Sequence, residues 1–256
     1  MSKYLDFASS LAKDAGKIIR QNLSVGTPRT WKDNQTPLTV VDTKINDLVL
    51  ARIHDTFPTD SILAEEGSDL SRSMDSVWVC DPLDGTFPFM HGIPVSTFTL
   101  AFVKNGVPQV GVIYDPFTDR LYAAERGRGA TLNGTAVHTR AAMSLKNESV
   151  GVVFWEGNMD LFTPFLGKLV ESGGKVFNLV SIAYMDALVA AGEFAATIFP
   201  GKSAHDSAAA KIVVEEAGGI FTSLRGAEQK YDREVDGHIA AANSAIYGEL
   251  ARLLGL

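Results

Sequence analysis

The sequence predicts an α+β protein, a mixed fold in which helices are laid against sheets. Three observations lead there. Apolar residues recur at helical spacing near the N-terminus, at Leu5, Ala8, Leu11, Ala12, Ala15, Ile18 and Ile19. After the middle of the first half the period changes to two, with Phe98, Leu100 and Phe102 alternating with Thr97, Thr99 and Ala101. From Val150 onward, short apolar runs alternate with helical stretches.

In order, the first helix covers residues 4 to 22 and breaks at Gly26-Thr27-Pro28. Residues 31 to 36 read as a polar, mobile loop containing Lys32. Pro37 to Asp42 then leads into a second helix, capped by Asp42 or Thr43, with Ile45, Leu48, Val49 and Ile53 on its buried face. Phe57-Pro58 ends it. Ser61 to Ala64 is a short strand running into Glu65-Glu66-Gly67. Val77 to Cys80 is a second, buried strand. Phe98 to Phe102, Val110 to Tyr114 and Arg120 to Glu125 form an antiparallel meander, with hairpin signals at Asn105-Gly106 and Asn133-Gly134. Arg126-Gly127-Arg128 reads as a turn rather than an anion site.

The second half opens with a strand over 150–155 and a helix over 160–171, stopped by Gly173-Gly174. A strand-like stretch (176–179), an Ala-rich helix (181–191), a strand (194–199) and a helix over 206–217 follow. Strands over 220–222 and 239–241 and a helix over 244–254 complete the chain. No internal repeat, low-complexity tract or clear linker divides it.

Composition excludes several classes of function. The chain has 256 residues and a net charge of −7, which disfavours nucleic acid or an anionic membrane surface as a partner. Its one cysteine, Cys80, rules out an internal disulfide and a Cys-rich zinc site, and it sits in an apolar run that suggests core packing. Met1 to Tyr4 lacks the apolar stretch of a signal peptide, and no segment reaches the length of a membrane span, so a cytoplasmic protein is expected. An acidic protein that handles anions needs local positive charge, and a bound metal ion is one source of it.

The chemistry centres on Asp81-Pro82-Leu83-Asp84-Gly85-Thr86, where the apolar strand is expected to end and the chain to turn. Two carboxylates this close repel each other unless a cation lies between them. Hard cations such as Mg²⁺ take carboxylates and keep room for water and phosphate oxygens. Gly85 permits close approach of a ligand. The string is also compatible with an Asx-type turn bearing solvated acids. Glu65-Glu66 likewise follows a strand, and Asp206 opens a helix, where it would serve as a cap in its own right. Spacing alone does not bring these acids together.

Ala64-Glu65-Glu66-Gly67, then Asp81-Pro82-Leu83-Asp84-Gly85-Thr86, then His205-Asp206-Ser207-Ala208 with Glu216-Ala217-Gly218-Gly219, resembles the inositol monophosphatase family in order and separation. That family belongs to the Mg²⁺-dependent, lithium-sensitive phosphatases, together with the fructose-1,6-bisphosphatases. The resemblance covers nearly the whole chain. It implies a layered α-β-α-β-α sandwich forming one unit over 1–256. An N-terminal lobe (1–145) would carry most metal motifs, and a C-terminal lobe (146–256) the last aspartate. It implies two or three Mg²⁺ ions held by Glu65, Asp81, the Leu83 carbonyl, Asp84 and Asp206. Glu65 and Thr86 would position and deprotonate the attacking water, with Asp42 bonded to Thr86. Gly85 and Thr86 would offer N–H groups to the phosphate. The implied reaction is hydrolysis of a small phosphate monoester by direct attack of metal-activated water, in a cytoplasmic homodimer.

The sequence departs from that pattern at the leaving-group end. Phe87-Pro88 replaces Thr-Asn, and His205 replaces a tryptophan. Val180-Ser181-Ile182 stands for a Gly-Thr/Ser-Ala segment, and Phe199 for an acid that bonds inositol hydroxyls. Ser181, Phe199 and His205 are thus the candidate substrate-side residues. The change favours a less polar alcohol than a bare polyol. Histidinol phosphate, fructose-1,6-bisphosphate, phosphoadenosine phosphate and NADP are alternative substrates. His91 is expected to be structural, and Lys32 and Lys202 solvated unless they face phosphate. A different class, an idle sugar-phosphate-binding regulator, would be expected to lack one of the acids or Thr86, and none is missing.

Overall fold

The computed structural model describes residues 2–32 and 36–256. Helix α1 (Lys3–Asn22) leads to a two-stranded ribbon, β1 (Arg29–Trp31) and β2 (Pro37–Thr39), and to helix α2 (Val40–Thr56). Strands β3 (Asp60–Ala64) and β4 (Ser73–Asp84), the short helix α3 (Thr86–Met90) and strands β5 (Thr97–Lys104), β6 (Val107–Asp115), β7 (Arg120–Glu125), β8 (Ala130–Leu132) and β9 (Thr135–Val137) follow. The second half comprises β10 (Ser149–Val152), α4 (Met159–Glu171), β11 (Lys175–Phe177), α5 (Ile182–Ala190), β12 (Ala196–Phe199), α6 (Ala208–Glu216), β13 (Ile220–Thr222), β14 (His238–Ala241) and α7 (Ser244–Leu254). No helix among the described residues is long and apolar enough to cross a membrane.

Two sheets and three helical layers alternate. The first sheet has the order β3-β4-β5-β6-β7-β8-β9, and the second β11-β10-β12-β14-β13. One face of the first sheet (Trp78, Cys80, Phe98, Leu100, Phe102) shares a core with Leu11, Ala15 and Ile19 of α1 and with Ile45, Val49 and Ile53 of α2. The opposite face (Val77, Val79, Ala101, Val103) packs on α5 and α6, which also meet Phe221 and Ala240 of the second sheet. The far side of that sheet (Val150, Val152, Ile198, Ile239) packs on Phe162 and Phe165 of α4 and Ile246 of α7. This is the α-β-α-β-α sandwich. The period-two pattern of β5 therefore separates two cores, not core from solvent.

Several expected boundaries move. α2 is capped by Thr39, not Asp42 or Thr43. Val41 N–H donates to Thr39 Oγ1 at 3.2 Å, and Thr39 N–H donates to the Asp42 carboxylate at 2.8 Å, a capping box with Asp42 as its third helical residue. The loop expected over 31–36 is in part a ribbon closed by Lys32 N–H on Thr36 O; Asp33, Asn34 and Gln35 lie outside the described residues. Three exposed residues on its first strand gave no period to read. Asn105 and Gly106 both take positive φ, as a tight hairpin turn requires. The turn at 127–129 donates three backbone N–H groups to Glu216 at 2.8–3.1 Å, which ties down the end of α6.

α6 reaches the first sheet at Gly111, where a Cβ would stand 2.5 Å from Ile212 Cγ2 and 2.8 Å from Ala209 O. Gly111→Ala should therefore cost about 1–3 kcal/mol through overpacking. Gly248 of α7 faces open space, so Gly248→Ala should stabilise by about 0.4–1 kcal/mol. Thermal unfolding of the two variants checks the opposite signs.

Candidate active site

The site lies where β3 and β4 end and β5 begins, beneath α5 and α6, and strand parity puts it there. On β4, Val77 and Val79 point toward α5 and α6, and Asp81 continues that set. On β3, Leu63 packs toward the same core, and Glu65 follows it at period two. Asp84 lies three residues beyond Asp81, a spacing that on a regular strand faces the opposite way. The strand is not regular there. Asp81 pairs with Thr99 and Asp84 with Thr97, so β4 spends three residues where β5 spends two. The extra residue is a bulge, and it turns both carboxylates to one side. Pro82 sits inside the bulge, where proline is tolerated. The expected end of the strand at Cys80 is thus corrected to Asp84, because pairing to β5 survives the bulge.

Asp206 arrives from the second half. α6 starts at Ala208 with Ser207 as its N-cap, so Asp206 occupies the turn before the helix and does not cap it. The carboxylate oxygens of Asp81, Asp84 and Asp206 lie within 4.8 Å of one another. Asp84 is saturated from behind: it accepts from Ser181 Oγ (2.5 Å), Thr97 Oγ1 (3.1 Å), Ile182 N (3.1 Å) and Ala183 N (3.1 Å). It therefore sits on the N-terminus of α5, where backbone N–H groups favour an anion. Asp81 accepts Leu83 N–H at 2.8 Å.

Thr86 Oγ1 lies 3.1 Å from Asp42 Oδ1 and 3.0 Å from the Leu83 carbonyl, so its single proton serves one of them at a time. Gly85 has φ +86°, a left-handed conformation, and a Cβ there would come within 3.0 Å of Ser181 Cβ. Lys32 Nζ bridges Glu65 (2.7 Å) and Glu66 (2.5 Å). His205 Nε2 stands 3.7 Å from Asp206 Oδ2. Ser181, expected at the substrate hydroxyls, is fully buried with its own hydroxyl committed to Asp84. Phe199, at the end of β12, packs edge-on to the half-exposed Trp155. The threonines that hold the site, Thr97 and Thr99, stand in the sequence only as the polar half of an alternating strand. Asp186 and His238 carry no local sequence signal; the structure pairs them 3.0 Å apart in the interior.

The acids are charged at a cost. Burial, then neighbouring Glu65 and Asp84, push Asp81 well above the usual carboxylate range. Asp206 is raised likewise, by burial first and then by Glu65, Asp84 and Asp186. Burial lifts Asp84 to about 6 against its four hydrogen bonds. Burial works to raise Glu65 too, but the positive charges of His205 and Lys32 outweigh it. Burial also lowers His205, against the attraction of Glu65.

A converging set of hard oxygen donors with uncompensated negative charge fits a divalent cation such as Mg²⁺. A raised carboxyl pKa leaves the fold unaffected below the ordinary carboxylate range and destabilises it progressively as pH climbs from there through the raised value. Asp206→Asn should therefore raise the Tm of metal-free protein at pH 7.5 by roughly 2–4 °C per kcal/mol of relieved repulsion, with a smaller gain at pH 4.5. Mg²⁺ should raise the Tm of the parent protein and not of the variant. Scanning calorimetry with EDTA or MgCl₂ checks both.

The model of the inositol monophosphatase family matches residues 1–255. A histidinol-phosphatase of Chlorobaculum parvum is 33% identical, over 100% of this chain and 98% of its own length. A Nus factor SuhB of Pseudomonas aeruginosa is 30% identical, over 98% and 95%. The structure of an inositol monophosphatase from Anabaena (Nostoc) superposes with a TM-score of 0.85 at 32% identity, covering 99% of this chain and 95% of that one. With the family model spanning the chain and the layered fold shared, this protein belongs to the inositol monophosphatase family.

Proposed function

We propose that the protein is a Mg²⁺-dependent phosphomonoesterase that hydrolyses a small phosphate monoester by direct attack of water. The observation that carries this reading is the convergence of Asp81, Asp84 and Asp206 within 4.8 Å, with Glu65 and the Asp42–Thr86 pair alongside. Asp81, Asp84 and Asp206, with the Leu83 carbonyl and Glu65, would hold two or three ions. Bound there, Mg²⁺ supplies the charge that lowers the pKa of water and offsets the phosphate. The residues do the rest. Asp42 orients the Thr86 hydroxyl, and Thr86 aligns the attacking water. Glu65, kept ionised beside Lys32, accepts its proton. Gly85 lets the backbone approach the phosphate. No covalent intermediate is required, and Cys80 is buried with its thiol pushed up by burial, so it is no nucleophile.

The alcohol is less polar than a bare polyol in this reading. The buried Phe199 ring backs the half-exposed Trp155, and half-exposed Val180 precedes Ser181. Histidinol phosphate, the substrate class in one relative's name, ranks with inositol phosphates as a candidate. A second reading, a non-catalytic factor, draws on the Nus factor name of another relative. The full set of acids argues for turnover.

A panel of phosphate esters tests the proposal. Phosphate release should need Mg²⁺ and stop with EDTA. Asp81→Asn should reduce it to background, and Thr86→Ala should lower kcat by about 10²–10⁴-fold. Phe199→Glu should move the kcat/KM ratio toward polyol phosphates by about tenfold or more. A folded protein that binds Mg²⁺ yet releases no phosphate from any ester would favour the non-catalytic reading.

A further inference from the structure

Behind the site, four polar side chains lie wholly out of water: Asp186 of α5, Thr197 of β12, His238 of β14 and Ser207, the cap of α6. His238 Nδ1 shares a hydrogen bond with Ser207 Oγ at 2.9 Å. Its Nε2 stands 3.0 Å from Asp186 Oδ2, and neither atom has a hydrogen-bond partner among the described residues. Asp186 Oδ1 accepts the Thr197 hydroxyl. The imidazole is held sideways by stacking on Phe221 at 4.4 Å and by the Phe199 ring at 5.4 Å. A buried acid and imidazole are a costly way to fill a core that apolar side chains would fill as well.

We propose that His238 and Asp186 are positioning residues that hold Asp206 in its ligating place through Ser207. The geometry around Asp206 points to this. On one flank, the carbonyl of His205 accepts the Thr99 hydroxyl at 3.2 Å, which ties the turn to β5. On the other flank, the Ser207 side chain makes no capping bond to α6; its hydroxyl donates to the Ser203 carbonyl at 3.4 Å and meets His238 Nδ1 at 2.9 Å. The turn carrying Asp206 is thus clamped between a threonine of the first sheet and a histidine of the second. Asp186 fixes the imidazole from α5, the helix whose N-terminus holds Asp84. One buried pair therefore references both carboxylates to the same two helices. Because His238 also touches the Phe199 ring, the clamp joins the metal end to the leaving-group end.

The inference rests on Asp206 being a metal ligand, as in the proposed function. Its test is divalent-cation binding, read by titration calorimetry with Mn²⁺ on the folded full-length chain. His238→Leu and Asp186→Asn should weaken Mn²⁺ binding by about 10–100-fold, the effect typical of removing a partner that orients a ligand. His238→Asn, whose amide can still reach Ser207, should recover most of the loss. In turnover, the Mg²⁺ concentration for half-maximal rate should rise, while kcat at saturating Mg²⁺ changes much less. Ser207→Ala removes the linking hydroxyl, together with its longer bond to the Ser203 carbonyl, and serves if the histidine variants do not fold. Mn²⁺ affinity within twofold of the parent in folded His238→Leu, Asp186→Asn or Ser207→Ala overturns the proposal. A parent protein that binds no Mn²⁺ removes the metal reading of the site itself, and this inference with it.

Discussion

One extra residue in β4 decides the geometry of the site. Asp81 and Asp84 belong to one strand, and a spacing of three would send them into different layers of the sandwich. The bulge at Pro82-Leu83 restores a common direction, and pairing of Asp84 with Thr97 locks it. Everything else is placed relative to that turn. Glu65 joins by the parity of β3, Thr97 and Thr99 by the parity of β5, and Asp206 by the descent of α6 onto Gly111.

The sandwich makes such a site possible and also makes it strained. A sheet covered on both faces excludes water from the strand ends, which raises the cost of each acid. The structure answers with donors, not with counter-charge. Asp84 takes two hydroxyls and two backbone N–H groups at the head of α5, and Asp42 is absorbed into the cap of α2. Lys32 is the cation that reaches Glu65 and Glu66. Asp81 and Asp206 keep the least compensation, and they are the positions where a divalent ion would gain most. Electrostatic repulsion among these acids and affinity for a metal are two descriptions of one arrangement.

The two ends of the site carry different information. The acid end carries the strings by which the chain resembles the family. At the substrate side of the proposed site, Phe199 packs edge-on to the half-exposed Trp155, and Val180 is half-exposed. Relatives of similar identity are named as a histidinol-phosphatase and as a Nus factor.

Local chemistry made much of this legible from the chain alone. Apolar period located α1 and the meander, Asn-Gly pairs located the hairpins, and the acidic strings named Glu65, Asp81, Asp84 and Asp206 as candidates. These are short-range properties, set by residues within a turn or a strand of one another. What the chain could not express was register. The bulge exists only against β5, the capping box of α2 replaced a cap expected at Asp42 or Thr43, and Ser181 went to Asp84 because α5 docks there. The Asp186–His238 pair is the extreme case, since nothing near either residue in the sequence announces the other. Side-chain direction depends on which partner a strand or helix meets, and that is fixed only when the layers close.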